Sequence, residues 1–146
     1  MNSQASATRK LFVNQLFQAK SLPESRSKYM YRGVELIRAW IQGIVVQVEA
    51  PRFAIDDGTG VVWIDMQNLI KTNPHVQVVV GEYVMIIGPV MGTGGSSPRH
   101  SPSWIQAHQV IRLSEKGMQR ETLWFLEVIE YWTQVVGMPR HLIEIE

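Results

Sequence analysis

The run WIQGIVVQV (Trp40–Val48), followed by RFAIDDGTGVVWIDM (Arg52–Met66), decides the fold. The first run belongs to a longer β-branched stretch, Val34 to Val48, which exceeds an ordinary strand. Gly43 sits inside it, and a glycine within a strand marks a bulge or sharp bend where a Cβ would obstruct the backbone. A first barrel strand that serves two sheets bends at such a point. The second run places two alternating segments, Arg52–Asp56 and Val61–Met66, around Asp57-Gly58-Thr59-Gly60, a strong hairpin signal. In the later segment Val62, Ile64 and Met66 look inward, and Val61, Trp63 and Asp65 outward.

Working outward, Glu82 to Val90 reads as a buried strand after Gly81, with Gly88 predicting a second bend. Gln67 to Pro74 has room for one helical turn. Met91 to Ser103 is a Gly/Ser/Pro-rich loop, and Trp104 to Leu113 a last strand. Upstream, Leu11, Phe12, Leu16 and Phe17, with Val13 beside them, predict a helix over Ala7–Lys20 capped by Ser6 or Thr8. Ser21 to Arg32 reads as a connecting loop. Downstream, Ser114 to Val136 is a helix, firm from about Met118 and stopped by Gly137 and Pro139. The fold expected is mostly β: a five-stranded Greek-key OB-fold barrel with an N-terminal helix and a long C-terminal helix. Residues 1–32 form the N-terminal extension, 33–113 the barrel, 114–136 an interaction helix and 137–146 a tail.

The bulk numbers narrow the function. At 146 residues, 45% hydrophobic and 18% charged, the chain has enough apolar surface for one core. Fourteen basic residues face thirteen acidic ones, so the long-range field behind non-specific nucleic-acid affinity is missing. Little direct nucleic-acid binding is expected from the chain alone. No cysteine is present, which excludes thiolate metal sites and cysteine nucleophiles and fits a reducing intracellular compartment. Residues Met1 to Ala7 carry no leader pattern, and no apolar run reaches the roughly 18–20 residues of a membrane span.

The C-terminal helix is the most informative segment. Its polar residues Arg120, Glu127, Glu130 and Gln134 fall in one narrow arc. Most of the rest is large and apolar: Leu123, Trp124, Phe125, Leu126, Val128, Ile129, Tyr131, Trp132, Val135 and Val136. A helix lying on its own barrel needs an apolar stripe only about 100° wide. Aromatic side chains bury roughly 150–250 Å² each, so leaving Trp124, Tyr131 and Trp132 open would expose more than a monomer tolerates. Either another protein covers the second face, as in helix-on-helix recognition, or the N-terminal helix or the tail does. The first is expected, because the N-terminal stripe of two leucines and two phenylalanines is small.

Other candidate chemistry is thin. Trp63 points outward on the barrel as a contact for DNA or protein, beside the acidic residues Asp56, Asp57 and Asp65, which repel phosphate. Arg9, Lys10, Lys20, Arg26, Lys28 and Arg32 cluster early in the chain, as a solvated face or a modest DNA contact. The Asp56-Asp57 pair fits hairpin geometry better than paired-carboxylate catalysis. His75, His100, His108 and His141 lack metal-ligand spacing, and Gly92 to Gly95 lacks the lysine of a phosphate loop. No catalytic residue, metal or cofactor is expected.

AWIQGIVV (Ala39–Val46), FAIDDGTGVVWI (Phe53–Ile64), GEYVMIIGPV (Gly81–Val90) and IRLSEKGMQRETLWFLEVIE (Ile111–Glu130) together resemble the RecQ-mediated genome instability protein 2 family. The resemblance covers most of residues 36–136; its specific parts are Trp-x-Gln-Gly and the Leu-Trp-x-Leu-Glu-Val helix. Residues 92–102 and the tail after Val136 depart from the pattern and carry no transferred role. The resemblance implies a non-catalytic nuclear OB-fold subunit paired with an OB-fold of RecQ-mediated genome instability protein 1. Through that partner it implies an assembly with topoisomerase III and a RecQ-type helicase, which dissolves double Holliday junctions without crossovers. It also implies that Trp124, Phe125, Val128, Ile129 and Trp132 lie at the helix that packs on the partner. The competing expectation is a single-strand-binding OB subunit, similar to the middle subunit of replication protein A or to telomere-capping subunits.

Overall fold

The computed structural model describes residues 8–92, 101–113, 117–135 and 137; side chains of residues 26, 27, 117, 118 and 135 are not included in that description. Strands β1 (Thr8–Lys10), β2 (Lys20–Leu22), β3 (Ser25–Tyr31) and β4 (Val34–Leu36) lead, with helix α1 (Val13–Gln18) after β1. The barrel strands follow: β5 (Arg38–Glu49), β6 (Arg52–Asp56), β7 (Val61–Asp65), β8 (Tyr83–Met91), β9 (Trp104–Gln106) and β10 (Gln109–Arg112). Helix α2 (Gln67–Thr72) joins β7 to the loop before β8, and α3 (Gly117–Glu130) continues as a π turn over Tyr131–Val135.

The order β5-β6-β7-β9-β8 closes on itself because β5 also pairs with β8. With β9 and β10 as the two halves of the fifth strand, this is the expected closed OB barrel. The β7–β9 pairing is parallel and its other neighbours antiparallel. Val62, Ile64 and Met66 are buried, as their alternation requires, with Phe53, Ile55, Ile41, Val84, Ile86 and Ile105.

The two strand glycines act through close approach. A Cβ on Gly43 would stand 2.8 Å from the Asp56 carbonyl oxygen. The β5 bulge instead falls at Val46, where the register with β6 shifts between Val45 and Gln47. At Gly88 a Cβ would overlap the Gln106 carbonyl oxygen and lie 3.1 Å from Ala107 Cα. There the chain steps from β9 to β10 directly across β8, held by the His108 N–H donating to Ile87 O at 2.8 Å.

The N-terminal segment differs from the expected helix and loop. Thr8–Lys10 runs as a parallel strand beside Arg38–Trp40, and the helix is only six residues long. The expected cap at Ser6 or Thr8 gives way to Phe12, which has no capping oxygen. The orphan donors of α1 are met from the β6–β7 hairpin: Val13 N–H donates to Asp57 Oδ2 at 2.8 Å and Asn14 N–H to Thr59 Oγ1 at 3.1 Å. The expected loop holds most of β2 and all of β3, which with β4 form a separate three-stranded sheet, so the stretch Val34–Val48 read as one strand is split at Ile37 between two sheets. Tyr29 and Tyr31 on alternate positions of β3 are buried, and burial pushes the Tyr29 phenol above its ordinary range.

Asp57 is the polar pivot of this end of the barrel. Besides Val13, its carboxylate accepts from the Thr59 hydroxyl and N–H and from the Gly60 N–H. Desolvation is the largest influence on it and raises its carboxyl above the usual range, against the lowering pull of those donors. Asp57→Asn presents an NH₂ to the Val13 N–H and should destabilise the fold by about 1–3 kcal/mol. With a raised folded value, the native state binds the proton more readily than the unfolded chain. Wild-type stability from this group therefore rises as pH falls through the raised value toward the unfolded one. The Asp57→Asn penalty, measured by urea unfolding, should be larger near pH 4.5 than at pH 7; a smaller penalty there would mean the donors dominate.

Candidate functional site

Helix α3 packs against β5 and the N-terminal segment, with Trp124, Val128 and, in the π turn, Trp132, spaced by four, on one stripe. All three are buried by the chain itself. The covering comes from the N-terminal segment and β5. Trp132 Nε1–H donates to the Lys10 carbonyl at 2.7 Å, and its ring meets Tyr31 edge-on at 5.4 Å. Trp124 lies 6.1 Å from Trp40, and Phe125 packs edge-on against Phe12 at 4.8 Å. Arg9 Nη1 donates to the Tyr131 hydroxyl at 3.1 Å, while Lys10 Nζ sits over Trp40 and reaches Glu127 at 3.4 Å.

These contacts also account for part of the early basic cluster. Lys20 donates to Ser101 and Arg32 to the Tyr31 hydroxyl, so much of that charge is turned onto the chain; the Arg26 side chain is outside the description. Lys28 is exposed.

The candidate pairing residues thus divide by position. Trp124, Val128 and Trp132 are internal; Phe125, Ile129 and Tyr131 are half-buried; Leu123 is 56% exposed. Val135 belongs to the π turn but its side chain is not described, and Val136 lies outside the described residues, as do the tail after Gly137, His100 and His141. The outward face carries Leu123, Leu126, Glu127 and Glu130, with Ile129 at its margin. Leu126, also 56% exposed, is the open residue most easily overlooked in the sequence, because its neighbours are larger. At the π turn the Thr133 hydroxyl donates to the Ile129 carbonyl at 2.9 Å; widened turns of this kind are frequent at functional positions.

Trp63 lies elsewhere, half-buried on the barrel wall, lining a pocket of about 350 Å³ with Arg52, Ile64, Asp65, Ser103 and Trp104. The Arg52 guanidinium lies over its ring at 5.8 Å. The parallel β7–β9 pairing sets Trp104 directly beside Trp63. The adjacency of two tryptophans far apart in sequence had no local signal. Asp56 and Asp57 serve the hairpin: Asp56 accepts from Gly58 N–H, and Asp57 from Thr59 and Gly60. Among the described residues no cluster of three His, Asp or Glu could hold a metal ion, and no helix is long and apolar enough to cross a membrane.

Known folds share this arrangement. A chain of the S. pombe Stn1–Ten1 complex superposes with a TM-score of 0.67 at 13% identity, covering 88% of this chain and 93% of that one. A chain of a replication protein A heterotrimer bound to single-stranded DNA gives 0.65 at 15% identity, covering 88% and 98%. The telomere capping protein Ten1 from Saccharomyces pombe gives 0.52 at 13%, covering 83% and 96%. At such identities the likeness speaks for the OB fold. No curated protein matches the chain. The family model described as RecQ-mediated genome instability protein 2 matches residues 7–132, from the β1 strap to the tryptophan that docks beneath it. With that match over an OB barrel and its docked helix, the chain belongs to the RecQ-mediated genome instability protein 2 family, as an OB-fold subunit of genome maintenance.

Proposed function

We propose that this chain is a non-catalytic nuclear adaptor that pairs, through the outer face of α3, with the larger OB-fold protein RecQ-mediated genome instability protein 1. In that role it stabilises a RecQ helicase–topoisomerase III assembly that dissolves double Holliday junctions and limits crossovers. One observation carries this reading: α3 is anchored by its tryptophan stripe, yet two leucines on its opposite face remain more than half exposed. A helix held rigid on one side and apolar on the other suits helix-on-helix pairing. Trp124, Phe125, Val128, Tyr131 and Trp132 then act by fixing the helix, and Leu123, Leu126 and Ile129 by touching the partner.

Burying one leucine contributes roughly 1.5–3 kcal/mol. Replacing both Leu123 and Leu126 by Glu should therefore weaken pairing at least about 100-fold. Because both side chains are exposed, the melting of the chain alone should move little, within about 0.5 kcal/mol. Co-expression with the partner, followed by light scattering, measures the first, and urea unfolding the second. A double variant that still elutes as a heterodimer would sink the proposal.

A further inference from the structure

The tryptophan pocket has a charge pattern of its own. Glu49 of β5 pairs in register with Arg52 of β6, and Arg52 with Asp65 of β7. Register partners share a face, so Glu49, Arg52 and Asp65 lie on one side of the sheet; Glu49 accepts from Gln47 Nε2 at 2.6 Å and does not line the pocket. Asp65 Oδ1 accepts from the Gln67 N–H at 2.7 Å, and its other oxygen has no partner described. Trp63 already carries the Arg52 cation over its ring, whereas Trp104, half-buried beside it, carries none among the described residues. A polyanion would meet the Asp65 carboxylate here, and the one cation of the lining already lies over Trp63. A basic side chain would meet an open indole face and a carboxylate oxygen.

Going beyond the pairing role of α3, we infer that the pocket lined by Trp63, Trp104, Asp65 and Arg52 binds an arginine or lysine side chain of an extended polypeptide segment. The cation lies over Trp104 and pairs with Asp65, while Arg52 stays over Trp63. The segment's backbone runs over β7, between β6 and β9. Arg52 over Trp63 is an internal precedent for a guanidinium on an indole of this pocket.

The test is a tryptophan-fluorescence titration of the full chain with three probes. They are an octapeptide alternating glycine and arginine, its citrulline counterpart, and an oligothymidylate of about a dozen nucleotides. Saturable quenching by the arginine peptide alone is expected, weakened about tenfold by Trp104→Ala and by Asp65→Asn. Asp65→Asn keeps the oxygen that accepts from Gln67, so it separates charge from folding, and circular dichroism checks both variants. The α3 variants Leu123→Glu and Leu126→Glu should leave the titration unchanged, which distinguishes this site from the pairing surface. Equal binding of the citrulline peptide, or indifference to Asp65→Asn, would overturn the inference. Trp104-dependent binding of the oligothymidylate would assign the pocket to single-stranded nucleic acid instead.

Discussion

Trp132→Ala is expected to lower the unfolding free energy by about 5 kcal/mol, the largest loss from any single side chain of α3. Truncating a buried tryptophan costs roughly 3–5 kcal/mol through lost transfer energy and the residual cavity. The Lys10 carbonyl also loses the 2.7 Å hydrogen bond from Nε1, which adds about 1 kcal/mol or more. Against a total of roughly 5–15 kcal/mol for a domain, this removes most of the folded population's margin. The aromatic edge contacts of Trp132 with Tyr31 and Tyr131 go with it, so the damage should spread into the β2-β3-β4 sheet. Urea unfolding followed by far-UV dichroism measures the effect. A loss under about 2 kcal/mol would show that the helix docks without this anchor. Trp132→Glu should be worse, because the carboxylate would be buried without a charge partner.

Gly88→Ala is expected to destabilise by at least about 3 kcal/mol, more than overpacking usually costs. The new methyl would meet backbone, not a flexible side chain: the Gln106 carbonyl, whose carbon stands 2.8 Å from the ideal Cβ position, and Ala107 Cα at 3.1 Å. Neither can rotate away, since Ala107 N–H donates to Asp65 O at 2.9 Å and His108 N–H to Ile87 O at 2.8 Å. Relief requires β9 to lift from β7, which would separate Trp104 from Trp63. The variant should therefore lose stability and show altered tryptophan emission together. Calorimetry showing a wild-type Tm would mean the β9–β10 step has room that the geometry denies.

The barrel was legible because its signals are local. The Asp-Gly hairpin, the alternation of Val62, Ile64 and Met66, and the glycine-bearing strands each announce themselves within a few residues. The glycines were legible as special positions, but their reason was not: Gly43 answers to Asp56 and Gly88 to Gln106, contacts across strands. The N-terminal segment misled for a different cause. In SRSKYMY the alternation that buries Tyr29 and Tyr31 is masked by small and charged residues, so a strand looks like a loop. Over Leu11–Leu16 nearly every residue is buried, which removes the polar face that would have revealed how short the helix is. For α3 the sequence shows an excess of apolar surface but not its division. That division depends on the β1 strap, which covers the tryptophans and leaves the smaller Leu123 and Leu126 outside. Trp63 was visible as an outward aromatic; Trp104 became its neighbour only through a parallel pairing that no local pattern encodes.

The strap has a bearing on how the protein is made. The bonds that seat α3 join residues 122 positions apart, Lys10 to Trp132 and Arg9 to Tyr131. On a ribosome, β1 can settle beside β5 once the barrel strands have emerged, but Trp132 reaches its acceptor only after the 122 positions that separate it from Lys10 have been made. Until then the nascent barrel presents Phe12, Tyr31 and Trp40 uncovered. The same step that docks α3 also turns Leu123 and Leu126 outward, so synthesis delivers a surface ready for assembly only when that helix has locked in place.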